Sequence, residues 1–240
     1  MKWGNRYSSD FVNRLYKSIL RHTKNKTRLF CFTDDISNLD KNIICKPLPK
    51  IKIPKQISLT PWRKISIWKY PLIEFDGDIL FLDLDLVITG NLDKFFEYKK
   101  GKYCVIENWT QIGKKIGNTS CFRFPNKKYH YIFEDFEKNG QDIWKKYHIE
   151  QVYLSKHIDE QYFWPEDWCK SFKHNLLPRW PLRIWKPATL SKNTSIVAFT
   201  GKPDPDDVLK GKWPVKKGQF YKKIYKQLQT PKWLSENWKV

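Results

Sequence analysis

Glycine is scarce in this chain, at 10 of 240 residues. No Gly-x-Gly-x-x-Gly turn and no Walker-type phosphate loop is present, which excludes the two commonest nucleotide-binding fingerprints. No run of 18 apolar residues exists, so no segment reads as a membrane-spanning helix. The opening, Met1-Lys2-Trp3-Gly4-Asn5-Arg6-Tyr7, lacks the apolar stretch of a signal peptide and points to the cytoplasm. Five cysteines (Cys31, Cys45, Cys104, Cys121, Cys169) are scattered, odd in number and never in a C-x-x-C pair, which argues against structural zinc and a disulfide framework. The histidines show no ligand spacing, and no Ser-His-Asp set competes for a catalytic role. Acidic residues are in deficit, 25 against 45 basic ones, for a formal charge of +20. Such a surface attracts polyanions: nucleic acid, anionic lipid or phosphorylated ligands. No zinc finger, basic zipper or RNP-type motif appears, so no specific nucleic acid is expected. A solvated lysine-rich surface explains the charge as well as a functional basic patch does.

What the chain has in abundance is aromatic side chains, 16% of residues with 12 Trp. Its length suits one α/β domain, or one with a small appendage. The most informative stretch is Ile79-Leu80-Phe81-Leu82-Asp83-Leu84-Asp85-Leu86-Val87-Ile88. Its apolar density predicts a single buried strand. Strand side chains alternate, so Asp83 and Asp85 are expected on one face, at the end of an apolar row that includes Ile79 and Phe81. Two carboxylates beside an apolar core need compensation. A divalent cation supplies it, since hard cations prefer carboxylate oxygens. The plainer alternative is a strand end whose two solvated acids cap nearby amides.

The remaining pattern alternates strands and helices, which predicts an α/β fold. An amphipathic helix is expected over Tyr7–His22. Strands are expected at Arg28–Phe32, Asn42–Cys45, Tyr103–Glu107, Ser120–Phe124 and Ser195–Phe199. Further helices are expected at Trp62–Lys69, Asn91–Tyr98, Lys127–Lys138 and Asp142–Ile158, with a break at Gly140. The tail from Trp213 to Val240 is basic and aromatic, and Phe220, Ile224 and Leu228 recur at helical spacing.

The apolar strand ending Asp-Leu-Asp, followed by Leu-Val-Ile-Thr-Gly-Asn-Leu-Asp, resembles the Asp-x-Asp strand of GT-A glycosyltransferases. Among these it resembles the glycogenin and lipopolysaccharide-galactosyltransferase group, glycosyltransferase family 8 and its relatives. Other blocks agree in order over about residues 3 to 205. Phe32-Thr33-Asp34-Asp35 resembles the end of a nucleotide-contacting strand. Trp62-Arg63-Lys64-Ile65 resembles the helix that carries a basic residue toward the donor. Asn118-Thr119-Ser120 resembles the Asn-Ser/Ala-Gly turn that holds the donor sugar, and Glu150-Gln151 the Asp-Gln pair near the reacting carbon. Phe199-Thr200-Gly201-Lys202-Pro203 resembles the late His-x-x-Gly-x-x-Lys-Pro segment. Three departures stand out. Thr200 lies near the place of a histidine metal ligand, the first strand is very short or truncated, and Asp-Gln reads Glu-Gln, with Asp159-Glu160-Gln161 competing for that block.

The resemblance implies a GT-A fold, a mixed, mostly parallel central sheet flanked by helices. It implies a catalytic domain over 1–205 and a basic aromatic helical tail over 206–240. It implies transfer of a sugar, with retention, from a nucleotide-sugar donor, UDP-linked, to a glycan or lipid-linked acceptor. Mn2+ or Mg2+ would sit on Asp83 and Asp85 and neutralise the departing diphosphate. Asp34, Asp35 and Tyr7 would meet the base and ribose, Asp83 also the ribose. Lys64, Gly201 and Lys202 would meet the diphosphate or sugar. Asn118, Glu150 and Gln151 would sit at the transferred sugar. Trp164, Trp168, Trp180 and Trp185 either pack the core or form a wall for the acceptor. The basic tail would rest on the inner face of a membrane. A second reading is a polyanion-binding protein, for nucleic acid or anionic membrane, on a degenerate GT-A scaffold.

Overall fold

The computed structural model describes all 240 residues. In chain order it contains α1 (Ser9–His22), β1 (Phe30–Thr33), β2 (Ile44–Pro47), β3 (Asp78–Leu82), β4 (Leu86–Ile88), α2 (Asp93–Glu97), β5 (Tyr103–Glu107) and β6 (Gly117–Pro125). There follow α3 (His130–Tyr147), α4 (Glu150–His157), β7 (Gln161–Phe163), β8 (Cys169–Ser171), β9 (Ile196–Ala198), α5 (Pro205–Leu209) and α6 (Lys232–Asn237). The chain divides into two compact units, each woven from three segments. The first takes Met1–Val12, Arg28–Leu84 and Lys94–Trp164, and the second Asn13–Thr27, Asp85–Asp93 and Pro165–Val240.

The first unit holds a four-stranded sheet in the order β3-β6-β5-β7 and a parallel pair β1-β2. Lys2 adds a single parallel bridge to Thr33. The Pro61–Trp68 segment is a 3-10 helix in place of the expected α-helix. Side chains three apart eclipse one another in that geometry, and Trp62, Ile65 and Trp68 occur at that spacing, all buried. Trp62 stacks on Phe136 at 5.4 Å, and Trp68 packs on Phe124 at 4.4 Å and Phe122 at 5.7 Å. The expected break at Gly140 is instead a kink at Asn139, and the helix runs on to Tyr147. Gly140 lies against Phe136, where a Cβ would meet the ring at 3.3 Å.

The second unit is built on a three-stranded sheet, β4-β9-β8, whose strands are fully buried. Phe172 and Phe199 stack beside it at 4.6 Å. The tail departs from expectation. Residues 213–231 hold no α-helix, only a 3-10 turn at Phe220–Lys223, and a helix forms later at Lys232–Asn237. Gly211, Pro214, Gly218 and Pro231 punctuate the segment, and both glycines take positive φ. Leu228 is buried, but Phe220 and Ile224 face solvent.

The sheets are mixed as expected. Three ladders are parallel and three antiparallel, so the parallel majority is not realised. The expected single strand over 79–88 is two strands, β3 and β4, in different sheets. Asp83-Leu84-Asp85 is the turn that joins them. The same-face argument for the two aspartates therefore does not apply, because strand alternation stops at Leu82.

Candidate active site

The β3–β6 ladder ends at Leu82 opposite Cys121, and the Asp83 N–H continues to the Ser120 carbonyl at 2.9 Å. Leaving the ladder frees the Asp83 carboxylate to turn toward the 3-10 helix. There Lys64 Nζ lies 2.7 Å from Asp83 Oδ2. The same ammonium donates to the Thr119 carbonyl at 3.3 Å and sits over the Phe81 ring at 5.4 Å. Lys64 is 7% exposed, so its charge is balanced almost wholly by protein groups.

Thr119 also donates its hydroxyl to Glu150 Oε1 at 2.9 Å. Glu150 opens α4 and is 3% exposed. Burial pushes its pKa up, and Asp83 adds to this. The Lys64 charge and the Thr119 hydrogen bond act the other way. Lys64, Asp83, Thr119 and Glu150 thus form one buried polar cluster. Asn118 and Thr119 lie inside β6 and not in the expected turn. They sit where the β5–β6 register jumps between Val105 and Ile106. That bulge re-aims local side chains. Asn118 Oδ1 accepts from the Ser120 N–H at 3.1 Å, and Gln151 Oε1 accepts from Asn108 Nδ2 at 3.2 Å. The competing Asp159-Glu160-Gln161 block stands apart, with Glu160 in a surface ion pair to Lys102 at 2.6 Å.

Asp34 and Asp35 follow β1 on the surface of the same unit. Asp34 accepts from the Gly4 N–H at 3.0 Å. Asp35 accepts from the Ser37 N–H at 2.9 Å and from Lys2 Nζ at 3.4 Å. Hydrogen bonds from Ser37 hold its carboxyl below the usual carboxylate range. The half-buried Tyr7 ring has the Arg6 guanidinium over it at 4.9 Å and the Phe11 ring at 4.9 Å. Trp164 is core, donating to the Cys121 carbonyl at 3.2 Å, and so is no part of an acceptor wall.

In the second unit the Asp85 carbonyl accepts from the Phe199 N–H at 3.3 Å. Thr200 and Gly201 follow, Gly201 with φ +69. Lys173 Nζ donates to the Thr200 carbonyl. Lys202, expected at the diphosphate, is bound to Asp204 at 2.6 Å and Asp207 at 2.9 Å. Those two carboxylates form the capping box of α5, which fixes Lys202 at a helix start. Sequence reading missed Asn108 and Lys173, which belong to no spaced motif, and it placed Thr119 in a sugar-holding block without its bond to Glu150; only the fold brings these residues to their partners.

A divalent ion on Asp83 and Asp85 needs hard oxygens that are not already committed. Asp83 is paired with an ammonium group, and Thr200 offers neither carboxylate nor imidazole. No three His, Cys, Asp or Glu side chains gather into a group that could hold an ion. The donor set does not fit a resident divalent ion.

The sheets and helices define a mixed α/β protein with a buried lysine–carboxylate cluster. The particular fold is GT-A, of the kind seen in the galactosyltransferase LgtC. LgtC in complex with donor and acceptor sugar analogues matches at TM-score 0.60 and 13% identity, over 99% of this chain and 95% of that one. An active-site mutant of LgtC matches at TM-score 0.57 and 15% identity, over 85% and 87%. The glycosyltransferase GlyE of Streptococcus pneumoniae matches at TM-score 0.56 and 17% identity, over 98% of this chain and 62% of that one. No family model and no curated protein sequence matches.

Proposed function

We propose that this protein moves a sugar, with retention, from a UDP-linked or similar nucleotide-sugar donor to a glycan or lipid-linked acceptor. The observation that carries this is the buried Lys64–Asp83–Thr119–Glu150 cluster on a GT-A fold, with Gln151 beside it. LgtC has been crystallised with donor and acceptor sugar analogues, which supports the same two partners here. A departing nucleoside diphosphate gains negative charge, and a fixed cation aimed at it lowers the barrier. Lys64 is already balanced by Asp83 and the Thr119 carbonyl, so it would hold the cluster in shape while another basic side chain supplies that charge. Gln151, Asn118 and Glu150 would orient the sugar hydroxyls and present a carbonyl oxygen toward the reacting carbon. Asp34, Asp35 and Tyr7 would take the base and ribose.

Calorimetry and product analysis with a panel of nucleotide sugars test the reading. One donor should bind and be consumed. Gln151→Ala should slow transfer by about a hundredfold or more while donor affinity holds within about threefold. If no donor binds, the proposal is wrong.

Attachment to an anionic membrane belongs to the same proposal. In the second unit Trp180, Leu182, Trp185, Phe220, Tyr221 and Ile224 are all more than half exposed. Arg183 joins their two segments by donating to the Tyr225 carbonyl at 2.5 Å, and Gln229 does so through the Ile184 carbonyl. Aromatic side chains among lysines suit the headgroup region of a bilayer. That position would bring the protein to a lipid-linked acceptor.

A further inference from the structure

In the first unit Lys64 holds Asp83 at 2.7 Å. In the second unit Lys173 is half-buried and donates to the backbone carbonyl of Thr200. Burial, helped by Lys226, lowers its pKa, and Asp204 and Asp85 oppose this by favouring the charged form. The resemblance sets a histidine metal ligand near Thr200. This chain has a threonine there and a cation on that threonine's own carbonyl. A divalent ion entering beside Lys173 would meet like charge. Gly201 lies against this ammonium, where a Cβ would be in van der Waals contact with Lys173 Nζ at 3.9 Å. Lys202 is no substitute, being tied to Asp204 and Asp207.

On the reading that the donor is a nucleotide sugar, we propose that Lys173 takes the charge-neutralising part otherwise given to a divalent ion. Its ammonium binds the donor diphosphate directly, and the protein binds nucleoside diphosphates without metal. Lysine is a compact point charge with three donors, suited to bridging phosphate oxygens.

The test is calorimetry of the full chain with uridine, guanosine, cytidine and adenosine diphosphates, first in excess EDTA and then in Mn2+. One diphosphate should bind in EDTA within about threefold of its affinity in Mn2+. Lys173→Met should weaken that binding about tenfold or more, and Lys173→Arg should keep most of it. Mn2+ electron paramagnetic resonance with the protein alone should show only the free ion. The wild-type comparison stands even if a variant folds poorly. Binding that appears only with Mn2+ overturns the assignment to Lys173 and leaves the transferase reading intact. Absence of binding to all four diphosphates in both conditions overturns the nucleotide-sugar reading, and this one with it.

Discussion

At the residue scale, the Lys64–Asp83 pair gives Asp83 a structural part. Asp83→Asn leaves a buried ammonium without its counter-charge, and we expect a loss of about 3 kcal/mol. Adding Lys64→Met should return about 1 kcal/mol or more of that loss. Urea denaturation of the two single variants and the double variant measures this, and additive losses would count against the pairing. Glu150 gives a second expectation, with a definite sign. Its pKa is raised above the ordinary 4.5, so the folded state holds that proton more tightly than the unfolded chain does. Its contribution to stability is therefore present below about 4.5 and declines as pH rises through the raised value. Glu150→Gln removes this slope, so the variant should gain on the wild type between pH 4 and pH 7. Parallel stability curves would show that burial does not govern Glu150. The sequence motifs named Lys64, Asp83, Asn118, Glu150 and Gln151, because charge and amide types in order are visible in one dimension. They could not show that Lys64 pairs with Asp83, or that Lys202 is spent on α5. Which cation meets which carboxylate depends on tertiary contacts.

At the scale of elements, Arg123 is the residue the sequence hid best. It reads as an ordinary charged position in β6, yet it is wholly buried. Its guanidinium donates to the carbonyls of Phe95, Tyr98, Lys99 and Lys102, and its Nε lies 3.3 Å from an Asp78 oxygen. It thus ties the end of α2 and the turn after it to β3 and β6. Arg123→Met would strand several carbonyls and a carboxylate, and we expect a loss of about 3 to 5 kcal/mol in denaturant unfolding. Arg123→Lys should recover less than half of that, since one ammonium cannot reach so many acceptors. A loss below about 1 kcal/mol would mean that water replaces the guanidinium. The apolar run over 79–88 was legible as strand, but its break at Asp83 was not. Both halves are equally apolar, and hydropathy does not record which sheet a strand joins. The spacing of Trp62, Ile65 and Trp68 fits the 3-10 geometry, in which side chains three apart share a face.

At the scale of the whole molecule, the net charge of +20 is a statement about partners more than about fold. No helix is long and apolar enough to cross a membrane. The expected attachment is peripheral, through the exposed aromatic side chains of the second unit. Vesicles containing phosphatidylserine should carry the protein upward in flotation, and neutral vesicles should not. Replacing Trp185 and Phe220 together by Ser should abolish flotation, and raising salt alone should weaken it only in part. Equal flotation with neutral and anionic vesicles would contradict the role given to charge. The interleaving of the two units has a different consequence, one for synthesis. Leu86, Val87 and Ile88 are fully buried against β9, pairing with Ala198, Val197 and Ile196. A ribosome adding roughly 5 to 20 residues per second makes β4 wait roughly 5 to 20 seconds for that partner. Through that interval the growing chain displays an unpaired apolar strand, which is open to misassociation. Arrested nascent chains should be cut by protease near β4 until β9 has emerged, and be protected there afterwards.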